Sequence, residues 1–547
     1  MTHPNPSTAL ARVVVDELAN RGVRLVVIAP GSRSGALAMA AVAHPDIDTR
    51  VFLDERSAAF HALGAARGSR LPVVVVSTSG SAPSHFFPAI VEADMSCVPL
   101  IAVSADRPAE MQGVGANQTI DQVNLFGPKV RDYAGIEAPD ASEDRNVQWR
   151  GVVARLVSSA TWTRPGPVHL NLRFREPTVP VTDDGRSNGV EYPFPTSRVA
   201  DERMAPGNGE DSDHVADLDA SNGLLIAGDG DYDRQALTAR ATELGWPVLA
   251  TAQSGLRGAS VVSTYHHLLA KGVPDELRPE TVVAVGAIGP STRLETLVRA
   301  ASRRVRIDRW GRTIDPERNA TDVIQGDIVE LLGRVAGAGD PDWRARWSTA
   351  DTDCRMRLNR EIAASTEMSG ANVVVALNDV EWGSLVVASS LPIREVDAHL
   401  VRSGPVYANR GASGIDGFVS TALGIAGEME RTLALTGDLS LLHDSNGFIN
   451  DADIDMTIIV IDNGGGGLFD SLPQARHAPD FERLFVAPPK RNLADLAQFH
   501  RLRFHDATSA QSLQELARRA LGREGLDLIR VAVDRRFDLG LRRQLEE

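Results

Sequence analysis

Cysteine is nearly missing from this chain of 547 residues: Cys97 and Cys354 are the only two, and they form no CxxC. Neither a disulfide framework nor a thiolate zinc site is supported. Lysine is almost as scarce, at Lys129, Lys271 and Lys490 alone, so arginine supplies the rest of the 57 basic residues. With arginine that common, a single one says little, and only an arginine inside a motif counts toward a site. Acidic residues outnumber basic ones to leave a net charge of −15, which argues against a nucleic-acid or anionic-membrane surface. No segment approaches membrane-spanning length, and the opening MTHPNPSTAL has no apolar signal core. The expected compartment is the cytoplasm, with neither membrane nor nucleic acid as partner. Short repeats, low-complexity tracts and coiled-coil heptads are missing as well.

What remains is an ordinary globular composition, 43% hydrophobic and 24% charged, in a chain long enough for two to four domains. Short aliphatic runs alternate with helical patterns. Ser7 is placed to cap a helix whose Leu10, Val14 and Leu18 share a face before Gly22 ends it. Strands are predicted at 25–28, 51–53, 73–77 and 100–103, with a closing strand near 167–172. A second set falls at 224–227, 282–285 and 305–308, and a third at 385–388, 406–408, 433–435, 456–461 and 528–533. Apolar runs separated by helices are the mark of parallel sheets covered on both faces. The fold class is α/β, with three doubly wound parallel-sheet domains at 1–180, 222–340 and 341–547. Residues 181–221, rich in Asp, Gly, Pro and Ser and without periodicity, read as a linker.

The third domain holds the most informative stretch. Its run 433–435 stops at Gly437-Asp438, a helical pattern follows, and the run 456–461 stops at Asp462-Asn463 and four glycines. Two parallel strands joined by a crossover would give this pattern, and ligands of open α/β sheets bind at the carboxyl ends of such strands. An acid, an amide and a glycine-rich turn there suit a divalent cation carrying a diphosphate. Hard cations take oxygen ligands, and bare backbone approaches a phosphate closely. Asn463 follows Asp438 by 25 positions, a spacing that resembles the thiamin diphosphate motif. Gly228-Asp229-Gly230 serves as a control: no Asn falls in its matching window, so it reads as an ordinary strand-end turn.

In the first domain, Asp54-Glu55-Arg56 places Glu55 at a strand end where a helix opens. Such an acid is by default a solvated residue favoured by the helix dipole. Thiamin chemistry, however, needs one carboxyl group against the aminopyrimidine ring to share its proton. Loops after strands also carry Pro30-Gly31-Ser32-Arg33, Thr78-Ser79-Gly80-Ser81, Ser104-Ala105-Asp106-Arg107-Pro108 and Ala116-Asn117-Gln118-Thr119. The third domain adds Ser390-Leu391-Pro392-Ile393-Arg394 and Asn409-Arg410-Gly411-Ala412-Ser413-Gly414-Ile415-Asp416-Gly417. Arginines gathered at strand ends suit a substrate with several carboxylates, because guanidinium binds carboxylate bidentately. Taken singly, each would be a surface residue.

Together with 437–469, these motifs resemble the 2-succinyl-5-enolpyruvyl-6-hydroxy-3-cyclohexene-1-carboxylate synthase family, thiamin enzymes of menaquinone biosynthesis. The likeness spans both outer domains and is diffuse in the middle one, where only Trp246-Pro247 and Ser254-Gly255-Leu256-Arg257 are familiar. It implies decarboxylation of 2-oxoglutarate on thiamin diphosphate, then 1,4-addition of the succinyl-semialdehyde carbanion to isochorismate. It also implies that domain 1–180 binds the pyrimidine and domain 341–547 the diphosphate. Glu55 becomes the activating acid, and Asp438, Asn463 and the Gly465 carbonyl become the ligands of Mg²⁺ or Mn²⁺. Pro30, Ser79, Gly80, Ile415, Asp416, Gly417, Gly437, Leu439 and Ser440 would contact the cofactor, with Leu468 and Phe469 lining its pocket. Ser32, Arg33, Arg107, Asn117, Gln118, Arg293, Ser390, Arg394 and Arg410 would face the two acidic substrates. The implied assembly is a homodimer or a dimer of dimers with sites shared between chains. This chain departs from the family at His85, usually Asn, at Asp462, a competing ligand, and at Arg173, read as a surface difference. His266-His267 is assigned no metal.

Three other readings compete. Another thiamin-diphosphate-dependent 2-oxoacid decarboxylase, or an acetohydroxyacid-synthase-like enzyme, would take smaller or more apolar substrates and would not need Arg33, Arg107, Arg394 and Arg410. A non-catalytic cofactor-binding scaffold has no use for Glu55 alongside Asp438 and Asn463. A dehydrogenase is compatible with the fold alone, but no complete GxGxxG is present.

Overall fold

Segments such as Val73–Ser77 and Met456–Asp462 bury almost every residue, because helices cover both faces of the sheets they enter. The structure is a computed structural model and describes residues 5–139, 146–179, 222–258, 260–289, 291–335, 339–450, 452–477 and 479–547. The expected linker 181–221 lies outside the described residues. The first sheet contains β1 (Leu25–Ile28), β2 (Asp48–Val51), β3 (Val73–Ser77), β4 (Leu100–Asp106), β5 (Tyr133–Ile136) and β6 (Val168–Arg173), in the order β2-β1-β3-β4-β6-β5. The second contains β7 (Gly223–Ala227), β8 (Val248–Ala250), β9 (Thr281–Val285), β10 (Arg303–Asp308) and β11 (Asp322–Gln325), in the order β11-β10-β9-β7-β8. The third contains β12 (Ser384–Val387), β13 (Val406–Tyr407), β14 (Thr432–Gly437), β15 (Met456–Asp462), β16 (Arg503–Asp506) and β17 (Leu526–Ala532), in the order β13-β12-β14-β15-β17-β16. Neighbouring strands are parallel throughout, and strand order reverses within each sheet, which makes each one doubly wound. One sheet falls in each of the ranges 1–180, 222–340 and 341–547.

Three expectations need correction. The second strand is Asp48–Val51 and not 51–53: Phe52 leaves the parallel ladder for an isolated antiparallel bridge to Asn450, and Leu53 is exposed. The first helix, Pro6–Asn20, is capped by Asn5, whose side chain accepts from the Thr8 N–H at 3.2 Å. Pro6 fits the first helical position because the N–H it lacks would be unpaired there anyway. Ser7 instead donates to the Arg175 carbonyl at 2.8 Å. Gly228-Asp229-Gly230 directly follows β7, but in place of the expected turn Asp229 forms an isolated antiparallel bridge to Ala287.

The chain divides into two compact units, Met1–Ala205 with Asn409–Met429 and His443–Ile454, and Pro206–Ala408 with Glu430–Leu442 and Asp455–Glu547. The first unit therefore draws in a helix from far along the chain. Helix Phe418–Ala426 lies against helix Glu55–Ser69 at backbone distance. A Cβ on Gly64 would sit 2.1 Å from the Thr421 carbonyl oxygen, and one on Gly424 would sit 2.2 Å from that of His61. Because the obstacle is backbone, Gly64→Ala should destabilise the unit by about 1–3 kcal/mol, the usual cost of overpacking. Thermal denaturation checks this, and an unchanged midpoint would contradict so close a crossing. In the second unit, Trp343 and Trp347 of helix Pro341–Ala363 fill the core under the second sheet, with Trp343 Nε1 donating to the Gly223 carbonyl at 2.9 Å. Among the described residues no helix is long and apolar enough to cross a membrane.

Candidate active site

In the second unit, β14 and β15 run side by side with Gly437 opposite Ile461, so the residues that follow them emerge together. Asp438 opens helix Asp438–His443 and is 2% exposed. Its Oδ1 accepts from the Leu439 N–H at 2.8 Å, but its Oδ2 is buried with no partner. Oδ1 of Asn463 is buried and unpartnered as well. Burial pushes the Asp438 carboxyl up to about 6; the Leu439 N–H opposes the rise and the Asp462 charge adds to it. A buried polar group left so costs of order 1–3 kcal/mol. One divalent cation would satisfy both oxygens, so the residues present fit a metal.

The glycine turn fits a diphosphate for a related reason. Gly464 and Gly465 hold φ of +74° and +128°, and a Cβ on Gly465 would lie 2.3 Å from the Val486 carbonyl oxygen. The Gly466 N–H donates to that same carbonyl at 2.7 Å, which sets the path of the turn. Beside it is a cavity of about 610 Å³ lined by Asp462, Asn463, Gly464, Glu482, Arg535 and Arg536. Asp462 faces a cation of its own, with Oδ2 3.7 Å from Arg530. Gly437, Leu439, Leu468 and Phe469 are half-buried and Ser440 is buried; the Phe469 ring centroid is 5.6 Å from that of Phe485.

β12 is the other neighbour of β14, and Ser390 follows it with φ +74° and ψ −127°, a conformation that costs a residue with a side chain of order 1–3 kcal/mol. Backbone strain of this kind clusters at active sites and ligand clamps. It turns the chain into helix Leu391–His399, where Arg394 Nη1 donates to the Ser390 carbonyl at 2.6 Å. Loss of solvent, and then the like charge of Arg542, lowers the Arg394 pKa. Arg293 stands apart, on helix Thr292–Ala300 of the second sheet. Its guanidinium pairs with Glu546 at 2.7 Å and donates to the His266 carbonyl, so a substrate role would require that pairing to open.

In the first unit, Asp54 caps helix Glu55–Ser69 by accepting from the Arg56 and Ser57 N–H groups at 2.9 and 3.3 Å. Glu55 thus occupies the first turn, half-buried, at the carboxyl end of the first sheet. Asn446 donates to Asp54 at 2.9 Å and Arg56 donates to the His443 carbonyl at 3.0 Å, which fixes that turn from both sides. The loops after β1, β3 and β4 converge because those strands are neighbours. The Arg33 N–H donates to Thr78 Oγ1 at 3.3 Å, and a Cβ on Gly31 would lie 2.2 Å from Thr78 Cβ. Ser79 Oγ donates to the Gln118 carbonyl and Gln118 Nε2 to the Ser79 carbonyl, both at 3.0 Å.

Arg33 is buried, donating from Nη1 to the Phe174 carbonyl at 2.9 Å with Nη2 3.0 Å from Glu176. Burial first, and then the charge of Arg107, lowers its pKa, and Nε of both arginines is buried without a partner. Two guanidiniums held close enough to repel each other favour an anion between them. Pro30, Ser32 and Asn117 are exposed, while Arg410, Ile415 and Asp416 are half-buried. Gly417 has φ +67°, and a Cβ there would strike the Phe60 ring.

Several groups that hold these loops escape a reading of the sequence. Gln122 accepts from the Gly80 N–H at 3.2 Å and donates to Asn171 Oδ1 at 3.0 Å, and Asn171 donates to Asp106 at 2.9 Å. The only signal was a polar residue inside the apolar strand β6. Arg173 is no surface difference: register places it opposite Asp106, and its Nε is 3.4 Å from that carboxylate. Asp444 is fully buried, accepts from the Ser420 N–H at 2.8 Å and is pushed up to about 6 by burial. His85 is exposed.

Residues 8–125 match the family described as thiamine pyrophosphate enzyme, N-terminal TPP binding domain. Over 99% of both chains, the sequence is 41% identical to a 2-succinyl-5-enolpyruvyl-6-hydroxy-3-cyclohexene-1-carboxylate synthase from Thermobifida fusca. A protein of the same name from Saccharopolyspora erythraea is 37% identical, over 97% of this chain and 96% of its own. One from Listeria monocytogenes is 34% identical over the same shares, 97% and 96%.

Proposed function

Because the chain belongs to the 2-succinyl-5-enolpyruvyl-6-hydroxy-3-cyclohexene-1-carboxylate synthase family, we propose that it decarboxylates 2-oxoglutarate and transfers the remaining four-carbon unit to isochorismate in menaquinone biosynthesis. It is a thiamin-diphosphate-dependent enzyme of the transferase class. The observation that carries this reading into the site is the pair of orphaned acceptor oxygens, Asp438 Oδ2 and Asn463 Oδ1, beside a turn that only glycine can make. Those two oxygens and the Gly465 carbonyl would hold Mg²⁺ or Mn²⁺, and the metal would hold the diphosphate.

When bound, thiamin diphosphate supplies the electron sink that lets a 2-oxo acid lose CO₂ and join an acceptor. Glu55 Oε then holds the proton shared with the aminopyrimidine ring, a task that fits a half-buried acid at a strand end. Arg33 and Arg107 on one sheet, and Arg394 and Arg410 elsewhere, bind and orient carboxylates of the two substrates. We extend the proposal to a homodimer, or a dimer of dimers, in which Glu55 of one chain and Asp438 of the other serve one site, and to a cytoplasmic setting. Purified protein with thiamin diphosphate, Mg²⁺, 2-oxoglutarate and isochorismate should consume isochorismate, followed by its absorbance. Should pyruvate prove the better donor, the reading as an acetohydroxyacid-synthase-like enzyme or simple decarboxylase replaces this one.

A further inference from the structure

The segment 409–417 carries a substrate arginine at one end and cofactor-facing residues at the other, yet no helix or strand stiffens it. Its backbone is held from outside by Glu92, on helix Phe87–Ser96 of the first unit. Glu92 is 2% exposed, and its two oxygens are divided between two successive N–H groups: Oε1 accepts from Gly411 at 2.9 Å and Oε2 from Ala412 at 2.6 Å. Consecutive backbone N–H groups turned onto one anion form a nest, which fixes the direction of the chain on either side of it. Ser96 Oγ donates to Oε1 at 2.8 Å and the Arg67 guanidinium lies 4.0 Å away, so the carboxylate is itself fixed. Helix and segment touch directly, since a Cβ on Gly411 would lie 2.7 Å from Ser96 Oγ and 2.8 Å from Met95 Cβ. On the other side of Arg410, Asn409 accepts from Arg67 at 3.4 Å and donates to Thr421 Oγ1 at 2.9 Å.

Arg410 is thus the one residue of this stretch with a long side chain, and the backbone is anchored immediately before and after it. We propose that Glu92 is a positioning residue for Arg410, aiming its guanidinium by gripping the two N–H groups that follow. The proposal rests on the reading of Arg410 as a substrate arm. A buried acid is costly unless hydrogen-bonded, and the two backbone donors meet that need. A glutamine here has only one acceptor oxygen, so one of the two N–H groups would face an NH₂ and lose its partner.

Three readouts on the holoenzyme decide the matter. In Glu92→Gln, hydrogen exchange at the Gly411 and Ala412 amides should accelerate about tenfold or more, the effect of losing a hydrogen bond to a charged group. The KM for whichever acidic substrate Arg410→Ala weakens should rise about tenfold, with thiamin diphosphate affinity within about twofold of the parent. The double variant Glu92→Gln/Arg410→Ala should bind that substrate no worse than Arg410→Ala alone. Unchanged exchange, or losses that simply add, would overturn the proposal. If the parent protein consumes neither substrate, the proposed reaction fails, while amide exchange still decides whether Glu92 fixes the Arg410 backbone. Should Glu92→Gln not fold, Glu92→Asp keeps the charge, withdraws it by one methylene, and is read in the same way.

Discussion

Glu55→Gln is expected to bind thiamin diphosphate as the parent does and to release CO₂ from 2-oxoglutarate about 10²–10⁴-fold more slowly, the usual share of a positioned acid or base. The two outcomes separate because Glu55 belongs to a different strand end from Asp438 and Asn463, the residues assigned to the metal and diphosphate. Glutamine keeps the size of the side chain and leaves the Asp54 cap intact, with its 2.9 and 3.3 Å bonds to Arg56 and Ser57. The helix therefore survives, and what is lost is the capacity to hold and return a proton. Cofactor titration and CO₂ release measured on the same preparation check both halves. Unchanged CO₂ release would reduce Glu55 to a helix-start acid.

Asp438→Ala should have effects of opposite sign with and without cofactor. With metal and thiamin diphosphate, retention should fall by at least about 100-fold, the upper range for losing even an outer partner of a metal ligand. Without them, the thermal midpoint should hold or rise, because the substitution removes a buried carboxylate oxygen that has no partner. Equal cofactor affinity in variant and parent would sink the metal assignment. The same variant tests the shared site. Mixed with Glu55→Gln, it should regain about a quarter of parental activity, since random reassembly makes about half the dimers mixed and isologous pairing restores one of their two sites. Recovery no better than either variant alone, with mixed dimers confirmed by mass, would place each site within one chain.

The interior of each sheet was legible in the sequence and, β13 apart, its margins were not. Most of the strands flanked on both sides are aliphatic runs, as double-sided burial demands, while β6, β10 and β17 carry polar residues among their aliphatic ones. The edges β2, β5, β8, β11 and β16 were missed or misplaced. Asp48–Val51 and Arg503–Asp506 are polar and partly exposed, and Val248–Ala250 has three residues, too few to show a period. The site divides in a similar way. Asp438, Asn463 and the glycine turn announce themselves because oxygen ligands and bare backbone at strand ends are unusual in sequence. Glu92, Gln122 and Asp444 were silent, and Asn171 showed only as a polar residue within β6, because the partners of these buried groups lie far away in the chain. Arg173 was misread for the same reason: its partner Asp106 is brought opposite by β4–β6 register and not by neighbourhood in the chain.

Residues 55–69 leave the ribosome long before the helix that packs on them. At roughly 5–20 residues per second, the ~350 residues separating Ser69 from Phe418 take roughly 20–70 s to synthesise. Throughout that interval the small-residue face around His61, Gly64 and Gly68 has no lid, although the last strand of the sheet beneath it, Val168–Arg173, is made well before residue 418. The first unit is therefore among the first parts of the enzyme to be made and among the last to be finished. A premature stop anywhere before residue 418 yields no smaller working module, only a sheet with an open seam, the kind of surface on which nascent chains aggregate.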